Sequence, residues 1–291
     1  MQDANPVSTP LNKTAKLTVP HKNTSPSKLD VPYAKAIGSL MYAALGTRPD
    51  LAFTVQHLSQ LIVSHGPEYW TAIKYALRYL KGTRDIGIVF RKATDIDLEL
   101  YVDSDFANRT DARSIGGYMA MFGGSCIAWS SNKQRTVSLS TTGAEYIALT
   151  EGAKQLIWLR RALQEHGFDQ DQPTSVRSDN IRAINLSHDP TYHARTMHIN
   201  IAHHYIRQKV DSNEAALTYV RSKENPADIM TKGLDLDQHK YLRERLGMET
   251  PRIEKECWVN RKQGSGGVLA AVEPLEVDKV ESGGLSDVED N

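Results

Sequence analysis

Leu98-Glu-Leu-Tyr-Val-Asp-Ser-Asp105 alternates apolar and polar side chains and ends in acid. Leu98, Leu100 and Val102 share one face and Glu99, Tyr101 and Asp103 the other, which is the period of a pleated strand. That strand delivers Asp103 at its end. Three more acids recur downstream in matching settings: Glu145 in the first turn of a helix capped by Thr141 or Thr142, Asp179 ending a second strand, and Asp228 opening a last helix. Each has an ordinary reading by itself, since Asp179-Asn180 suits a turn or a helix cap, and Glu145 or Asp228 suits the positive end of a helix dipole. Taken together they read as one metal site. Gathered acids repel, and their pKa values rise unless cations sit among them. Magnesium takes hard oxygen ligands, and two ions about 3.5–4 Å apart clamp the attacking and leaving oxygens of a phosphodiester.

Upstream of this strand the text is mostly helical. Residues 1–32 are rich in Pro, Ser, Thr, Asn and Lys without period and read as a linker. Thr47-Arg-Pro-Asp50 is a helix start, with Pro49 pre-set for the first turn and Asp50 suited to the dipole. Leu51, Val55, Leu58 and Ile62 then share a face. Pro67 opens a second helix that Gly82 closes, with Trp70, Ile73, Leu77 and Leu80 as its apolar stripe. Lys74, Arg78 and Lys81 make a basic stripe that is a candidate phosphate contact. Ile86 to Phe90 reads as a short strand.

Downstream, Gly116–Phe122 and Cys126–Ser130 make a hairpin turned through Gly123-Gly124. The helix that follows carries Leu149, Gly152, Leu156, Leu159 and Leu163 along one side. Thr174–Ser178 is a fourth strand, 181–186 a brief helix, His193–Lys209 a largely helical segment and Ala215–Val220 a fifth strand. Pro226–Leu246 is a helix interrupted near Gly233, and the pattern fades beyond Gly247. The order is strand, strand, strand, helix, strand, helix, helix, strand, helix. It predicts an α/β, ribonuclease H-like mixed five-stranded sheet with flanking helices, preceded by a small helical segment. In such sheets ligands gather outside the carboxyl ends of strands, where Asp103 and Asp179 both stand.

With 291 residues, 40% hydrophobic and 24% charged, the chain has ample core-forming material. No apolar run reaches a bilayer span and the N-terminus lacks a signal-peptide layout, so no membrane partner is expected. Cys126 and Cys257 are the only thiols, which points to a reducing, intracellular compartment. Net charge is zero but uneven: 273–291 holds seven acids against Lys279, a net of −6 that leaves +6 elsewhere. The acidic end reads as a flexible tail, and the mildly basic remainder is compatible with a polyanion partner.

Seven words in this chain closely resemble the reverse transcriptase and ribonuclease H region of copia-type LTR retrotransposon polyproteins. They are Ile37-Gly-Ser-Leu-Met-Tyr42, Thr47-Arg-Pro-Asp-Leu-Ala52, Leu77-Arg-Tyr-Leu-Lys-Gly-Thr83, Tyr101-Val-Asp-Ser-Asp105, Ala144-Glu-Tyr-Ile-Ala148, His193-Ala-Arg-Thr196 and Ala227-Asp-Ile-Met-Thr-Lys232. The resemblance implies a linker at 1–32, a reverse transcriptase thumb and connection remnant at 33–96, a ribonuclease H domain at 97–248 and a tail at 249–291. It puts the family's four acidic positions on Asp103, Glu145, Asp179 and Asp228. It implies two Mg2+ ions, with Mn2+ as the alternative: one held by Asp103 and Asp228 to activate water, the other by Asp103, Glu145 and Asp179 to stabilise the leaving 3′ oxygen. The implied substrate is the RNA strand of an RNA–DNA hybrid, the 2′-hydroxyl marking RNA. Lys74, Arg78, Lys81, Lys133, Arg195 and Arg207 are the candidate nucleic-acid contacts. A polymerase palm domain, supplied by a longer polyprotein, is the implied protein partner, and no DNA synthesis is expected from this chain.

The sequence departs from the family's pattern in three places. Gly143 stands where Glu is usual, Phe106 where Trp is usual and Gly233 where Pro usually follows Thr-Lys. The loop before Asp228 lacks the histidine of some cellular ribonucleases H, and Lys223 is the nearest cation. The rival function is a catalytically inactive retroelement fragment or nucleic-acid-binding module. Integrases of the same fold order their acids Asp, Asp, Glu, whereas here Glu145 comes second, 42 residues after Asp103.

Overall fold

In a computed structural model of the chain, residues 3–13, 17, 29–63, 65–92, 96–106, 112–188 and 200–251 are described, excepting the side chains of 188 and 200–203. The helices and strands, in chain order, are α1 (Tyr33–Gly46), α2 (Ala52–Ser59), α3 (Pro67–Gly82), β1 (Gly87–Ile88), β2 (Leu98–Asp105), β3 (Ile115–Phe122), β4 (Ser125–Lys133), α4 (Thr141–Glu165), β5 (Thr174–Ser178), α5 (Ile181–His188), α6 (Asn200–Asp211), β6 (Ala215–Tyr219), α7 (Leu236–Arg245) and β7 (Met248–Glu249). Three 3-10 turns, Pro49–Leu51, Ser222–Glu224 and Pro226–Met230, join them. The expected tail beyond Pro251 and the segment holding His193, Arg195 and His198 lie outside the described residues.

The five-stranded sheet has the order β4-β3-β2-β5-β6. Strands β4, β3 and β2 are antiparallel, while β2, β5 and β6 run parallel. The hairpin turns where the residues allow it: Gly123 and Gly124 both take positive φ, at 57° and 76°, which glycine adopts without a Cβ penalty. Parallel neighbours need crossovers, and α4 with α5 and α6 supply them. This mixed sheet with helices on both faces is the ribonuclease H architecture expected from the order of elements.

The alternation in β2 divides the core between the two faces. Leu98, Leu100 and Val102 pack with Leu149, Ala153, Leu156 and Leu159 of α4. Gly152 lets helix and strand approach, because a Cβ there would meet Val102 Cγ2 at 3.0 Å and Leu100 Cδ2 at 3.1 Å. Tyr101 faces the opposite layer, with Met119, Ile229, Met230 and Leu242.

Helices α1 to α3 bury a third cluster, in which Tyr33, Ile37, Leu40 and Ala44 form the inward stripe of α1. The stripe of α3 differs from the expected one. Tyr69, Ala72, Ile73, Ala76 and Tyr79 are buried, while Trp70, Leu77 and Leu80 are only half-buried. A tyrosine ring buries well when its hydroxyl finds a partner. The partner of Tyr79 is Asp50, which stands in the first turn of the 3-10 segment as expected and accepts from the Tyr79 hydroxyl at 2.5 Å. The Arg48 guanidinium grips both Asp50 oxygens, at 2.9 and 2.8 Å, and also donates to Thr83 O and Thr83 Oγ1.

Residues 3–13, expected as linker, lie along this helical layer. Val7 and Leu11 pack on its core, Arg78 Nε donates to Asn5 O at 2.6 Å, and Lys81 Nζ donates to Ala4 O at 2.9 Å. Hydrogen bonds also tie the helical layer to the sheet and to α7. Trp129 Nε1 donates to Ala44 O at 2.8 Å, Lys133 Nζ to Gln60 Oε1 at 3.3 Å, and Arg243 Nη1 to the Tyr79 hydroxyl at 3.2 Å. The strand expected at Ile86–Phe90 shortens to β1 and pairs with β7, a strand the fading pattern after Gly247 concealed.

Candidate active site

Strand direction brings the first two acids together. Tyr101 of β2 is in parallel register with Arg177 of β5, so Asp103 and Asp179, each two residues further on, leave the sheet at one edge. Glu145 comes from α4, whose helix starts earlier than expected. Ser140, rather than Thr141 or Thr142, is the N-cap and accepts from Gly143 N at 3.0 Å, which sets Glu145 beyond the first turn. Asp228 lies in the 3-10 turn Pro226–Met230.

Neutral residues cap the elements that carry these acids. Asn180 Oδ1 accepts from Ala183 N at 3.0 Å, and Asn225 Oδ1 from Ala227 N at 3.1 Å. With Ser140, Asn180 and Asn225 as caps, none of the acids is needed to finish a helix. Asn225 also donates from Nδ2 to Val102 O at 2.9 Å, pinning the Asp228 turn to the strand that bears Asp103.

Asp103, Glu145 and Asp179 each place one carboxylate oxygen within 4.8 Å of the others. Asp228 is not among the three. It stands across the Lys232 ammonium, which lies 3.1 Å from Asp228 Oδ1 and 3.6 Å from Asp103 Oδ2. Asp103 is only 1% exposed. Its carboxylate also accepts from the Thr231 hydroxyl, while Glu145 Oε1 accepts from Ser104 N at 3.1 Å. Gly117, opposite Asp103 in the ladder, makes room for the turn, since a Cβ there would meet Met230 Cβ at 2.5 Å.

Burial dominates the electrostatics. It raises Asp103 above the usual carboxylate range, against the pull of Lys232 and Thr231. Burial, then Asp103 and Asp179, push Glu145 up to about 9. Burial and then Asp103 push Asp228 up to about 7, opposed by Lys232. Lys232 is raised by Asp103 and Asp228 despite the opposing effect of its own burial. Glu145 Oε2 is buried without a hydrogen-bond partner among the described residues. A buried, unpartnered carboxylate oxygen beside two other carboxylates is the donor set a hard divalent cation satisfies, so these residues fit the expected metal.

The cluster opens into a cleft lined also by Asp105, Phe106, Thr142 and Arg182. A larger groove of about 950 Å³ runs beside it between β3, β4 and α4, lined by Lys133, Arg135, Lys154 and the exposed Trp158. Of the other basic candidates, Lys74 is exposed on α3 and Arg207 half-buried on α6. Thr231 and Lys232 received no role from the sequence, and Lys223, taken as the nearest cation, is exposed. Their spacing was the available signal, because residues three and four after Asp228 return to its side of a helical turn.

The chain is similar in sequence to known proteins over most of its length. It is 42% identical over 258 residues to the retrovirus-related Pol polyprotein from transposon TNT 1-94 of Nicotiana tabacum, covering 86% of this chain and 19% of that protein. It is 38% identical over 237 residues to the corresponding polyprotein from transposon RE2 of Arabidopsis thaliana, covering 80% and 16%. The chain belongs to the copia-type Pol family. It spans less than a fifth of the length of these two polyproteins. Secreted RxLR effector protein 161 of Plasmopara viticola is 44% identical over 131 residues, 45% of this chain and 92% of that one. Among solved structures, the N-terminal RNase H domain of rv2228c from Mycobacterium tuberculosis is similar at 12% identity, covering 51% of this chain and 97% of that one, with a TM-score of 0.36. No family model matches the chain. Among the described residues, no helix of this copia-type Pol segment is long and apolar enough to cross a membrane.

Proposed function

We propose that this copia-type Pol segment is an endoribonuclease that hydrolyses the RNA strand of an RNA–DNA hybrid, and that residues 33–96 are the C-terminal remnant of a reverse transcriptase. The observation that carries the reading is the meeting of Asp103, Glu145 and Asp179 from three different elements within 4.8 Å, with Asp228 facing them across Lys232. Asp103 belongs to both sides of this arrangement. It stands beside Glu145 and Asp179 on one side and shares the lysine with Asp228 on the other. Divalent ions bound there, Mg2+ or Mn2+, would supply a water of lowered pKa and charge stabilisation at the leaving oxygen.

The chain's own residues supply the rest. The Thr231 hydroxyl and Ser104 N–H orient the Asp103 and Glu145 carboxylates. Burial of Asp103 and Glu145 strengthens the electrostatic contacts they make, while Asp179 and Lys232 stay partly open to the cleft. The groove beside α4 offers Arg135 for phosphates, with Lys133 and Lys154 once they leave Gln60 and Glu151, and Trp158, 62% exposed, for stacking, which suits the strand that is not cut. Arg78 and Lys81 hold the chain's own carbonyls, so their part in binding requires that residues 4 and 5 be displaced.

Cleavage of a labelled hybrid with Mg2+, comparing wild type with Asp103→Asn, tests the reading. The expected result is RNA-strand cutting that the variant loses by more than about 100-fold, beyond the loss typical of an outer-shell change. An uncut RNA strand at enzyme excess, or equal cutting by both proteins, points instead to an inactive binding module.

A further inference from the structure

Among the described residues, two cations pair with buried carboxylates, and they are held differently. Arg48 and Asp50 are both inaccessible, with side chains 6% and 0% exposed, and the guanidinium is fixed by four hydrogen bonds. Such a pair is permanent. Lys232 contacts Asp103 and Asp228, whose side chains are 2% and 9% exposed, yet its own side chain remains 35% exposed. Its backbone is anchored, because Lys232 N donates to Asp228 O at 3.2 Å. Beyond that anchor the ammonium rides on four partly covered methylenes, and it is strongly hydrated when released.

The position of this ammonium matters. It touches the two carboxylates that the site reading assigns to one divalent ion. An ion at about 2.0–2.1 Å from oxygens of both would stand against Nζ with like charge. The two cations therefore exclude each other. We propose that Lys232 is an internal counter-cation that holds the divalent-ion position between Asp103 and Asp228 and swings outward when the ion binds. This rests on the metal-site reading above. The lysine neutralises part of the repulsion within the acid cluster while no ion is bound, and it weakens ion binding at that position through competition. Swung outward, its charge lies at the mouth of the cleft, where a substrate phosphate would enter.

The test is calorimetric titration of Mg2+ and Mn2+ into the chelator-treated full chain, as wild type, Lys232→Met and Lys232→Gln. Both variants are expected to bind the bridging ion at least about tenfold more tightly, the effect of removing one adjacent positive charge. Unchanged affinity, or weaker affinity, overturns the proposal, since the lysine would then be a bystander or part of the binding site. A second readout needs no variant to fold: in wild type, the Lys232 side-chain NMR resonances should move toward those of free lysine as Mg2+ is added. Resonances that stay in place while Mg2+ binds also overturn it. Hybrid cleavage run alongside separates the two readings. Wild-type cleavage with unchanged ion affinity in the variants overturns only the role of Lys232, whereas a wild-type chain that binds no divalent ion overturns both.

Discussion

Thr231 donates its hydroxyl to Asp103 Oδ2 from the same short turn that carries Asp228. The two residues are 128 positions apart in sequence, and the contact joins the first strand of the sheet to the last acid of the cluster. Thr231 is wholly buried, and its hydroxyl has two acceptors in reach, the Asp103 carboxylate and Asp228 O at 3.2 Å. Replacing it by Val keeps the shape and removes the donor. Thr231→Val should lower divalent-ion affinity by about 10–100-fold, as loss of a ligand-orienting partner does, while Thr231→Ser should stay near wild type. Titration calorimetry with Mn2+ measures both; equal affinity in Thr231→Val would show that Asp103 is oriented by other groups.

The raised acids predict an unusual pH dependence. A carboxyl whose pKa is higher folded than unfolded binds more protons in the native state, so stability falls as pH rises between the two values. Asp228 moves from 3.8 to about 7 and Glu145 from 4.5 to about 9. In chelator, the urea midpoint should therefore fall steadily from about pH 5 to pH 9, and saturating Mg2+ should flatten the decline by neutralising the cluster. A midpoint that rises over this window in chelator would contradict the burial of these acids.

The Arg48–Asp50 pair predicts a large stability effect in the helical layer. Breaking one side of a buried pair leaves an uncompensated charge, which costs about 3–5 kcal/mol. Asp50→Ala also strips the Tyr79 hydroxyl of its acceptor, and Tyr79 receives the bond from Arg243 of α7. Urea unfolding of Asp50→Ala should show that loss. The double variant Asp50→Ala with Arg48→Met should recover part of it, because the orphaned guanidinium is gone.

Gly117 tests the spacing between sheet and turn. A Cβ at this position would lie 2.5 Å from Met230 Cβ and 2.9 Å from Thr231 Cγ2, so the turn must shift. Gly117→Ala should destabilise the fold by about 1–3 kcal/mol and weaken ion binding through Thr231. Gly116→Ala is the control, because its contacts begin at 3.3 Å and fall on Ala148 and the Gln134 side chain instead. Chemical denaturation and Mn2+ titration of the two variants together check the assignment.

Much of this was legible in the sequence because it depends on neighbours along the chain. Strand alternation from Leu98 to Asp105, the Gly123-Gly124 turn and the Leu149–Leu159 stripe each follow from local period and turn chemistry. From these the mixed sheet follows, and with it the shared edge of Asp103 and Asp179. What tertiary structure decided is which charge or ring lies opposite a given position. Asp50 is the first-turn acid its position announced, and it is also half of a buried pair, because Arg48 and Tyr79 close on it. The face that α3 buries was chosen by Asp50 waiting for Tyr79, and the N-terminal residues found carbonyl roles against Arg78 and Lys81. Lys232 stood in plain view, four residues after Asp228, but its second contact is with Asp103, a strand on the far side of the sequence. Local period states which side chains share a face; only packing brings two distant faces together, and the site's charge balance is set at that meeting.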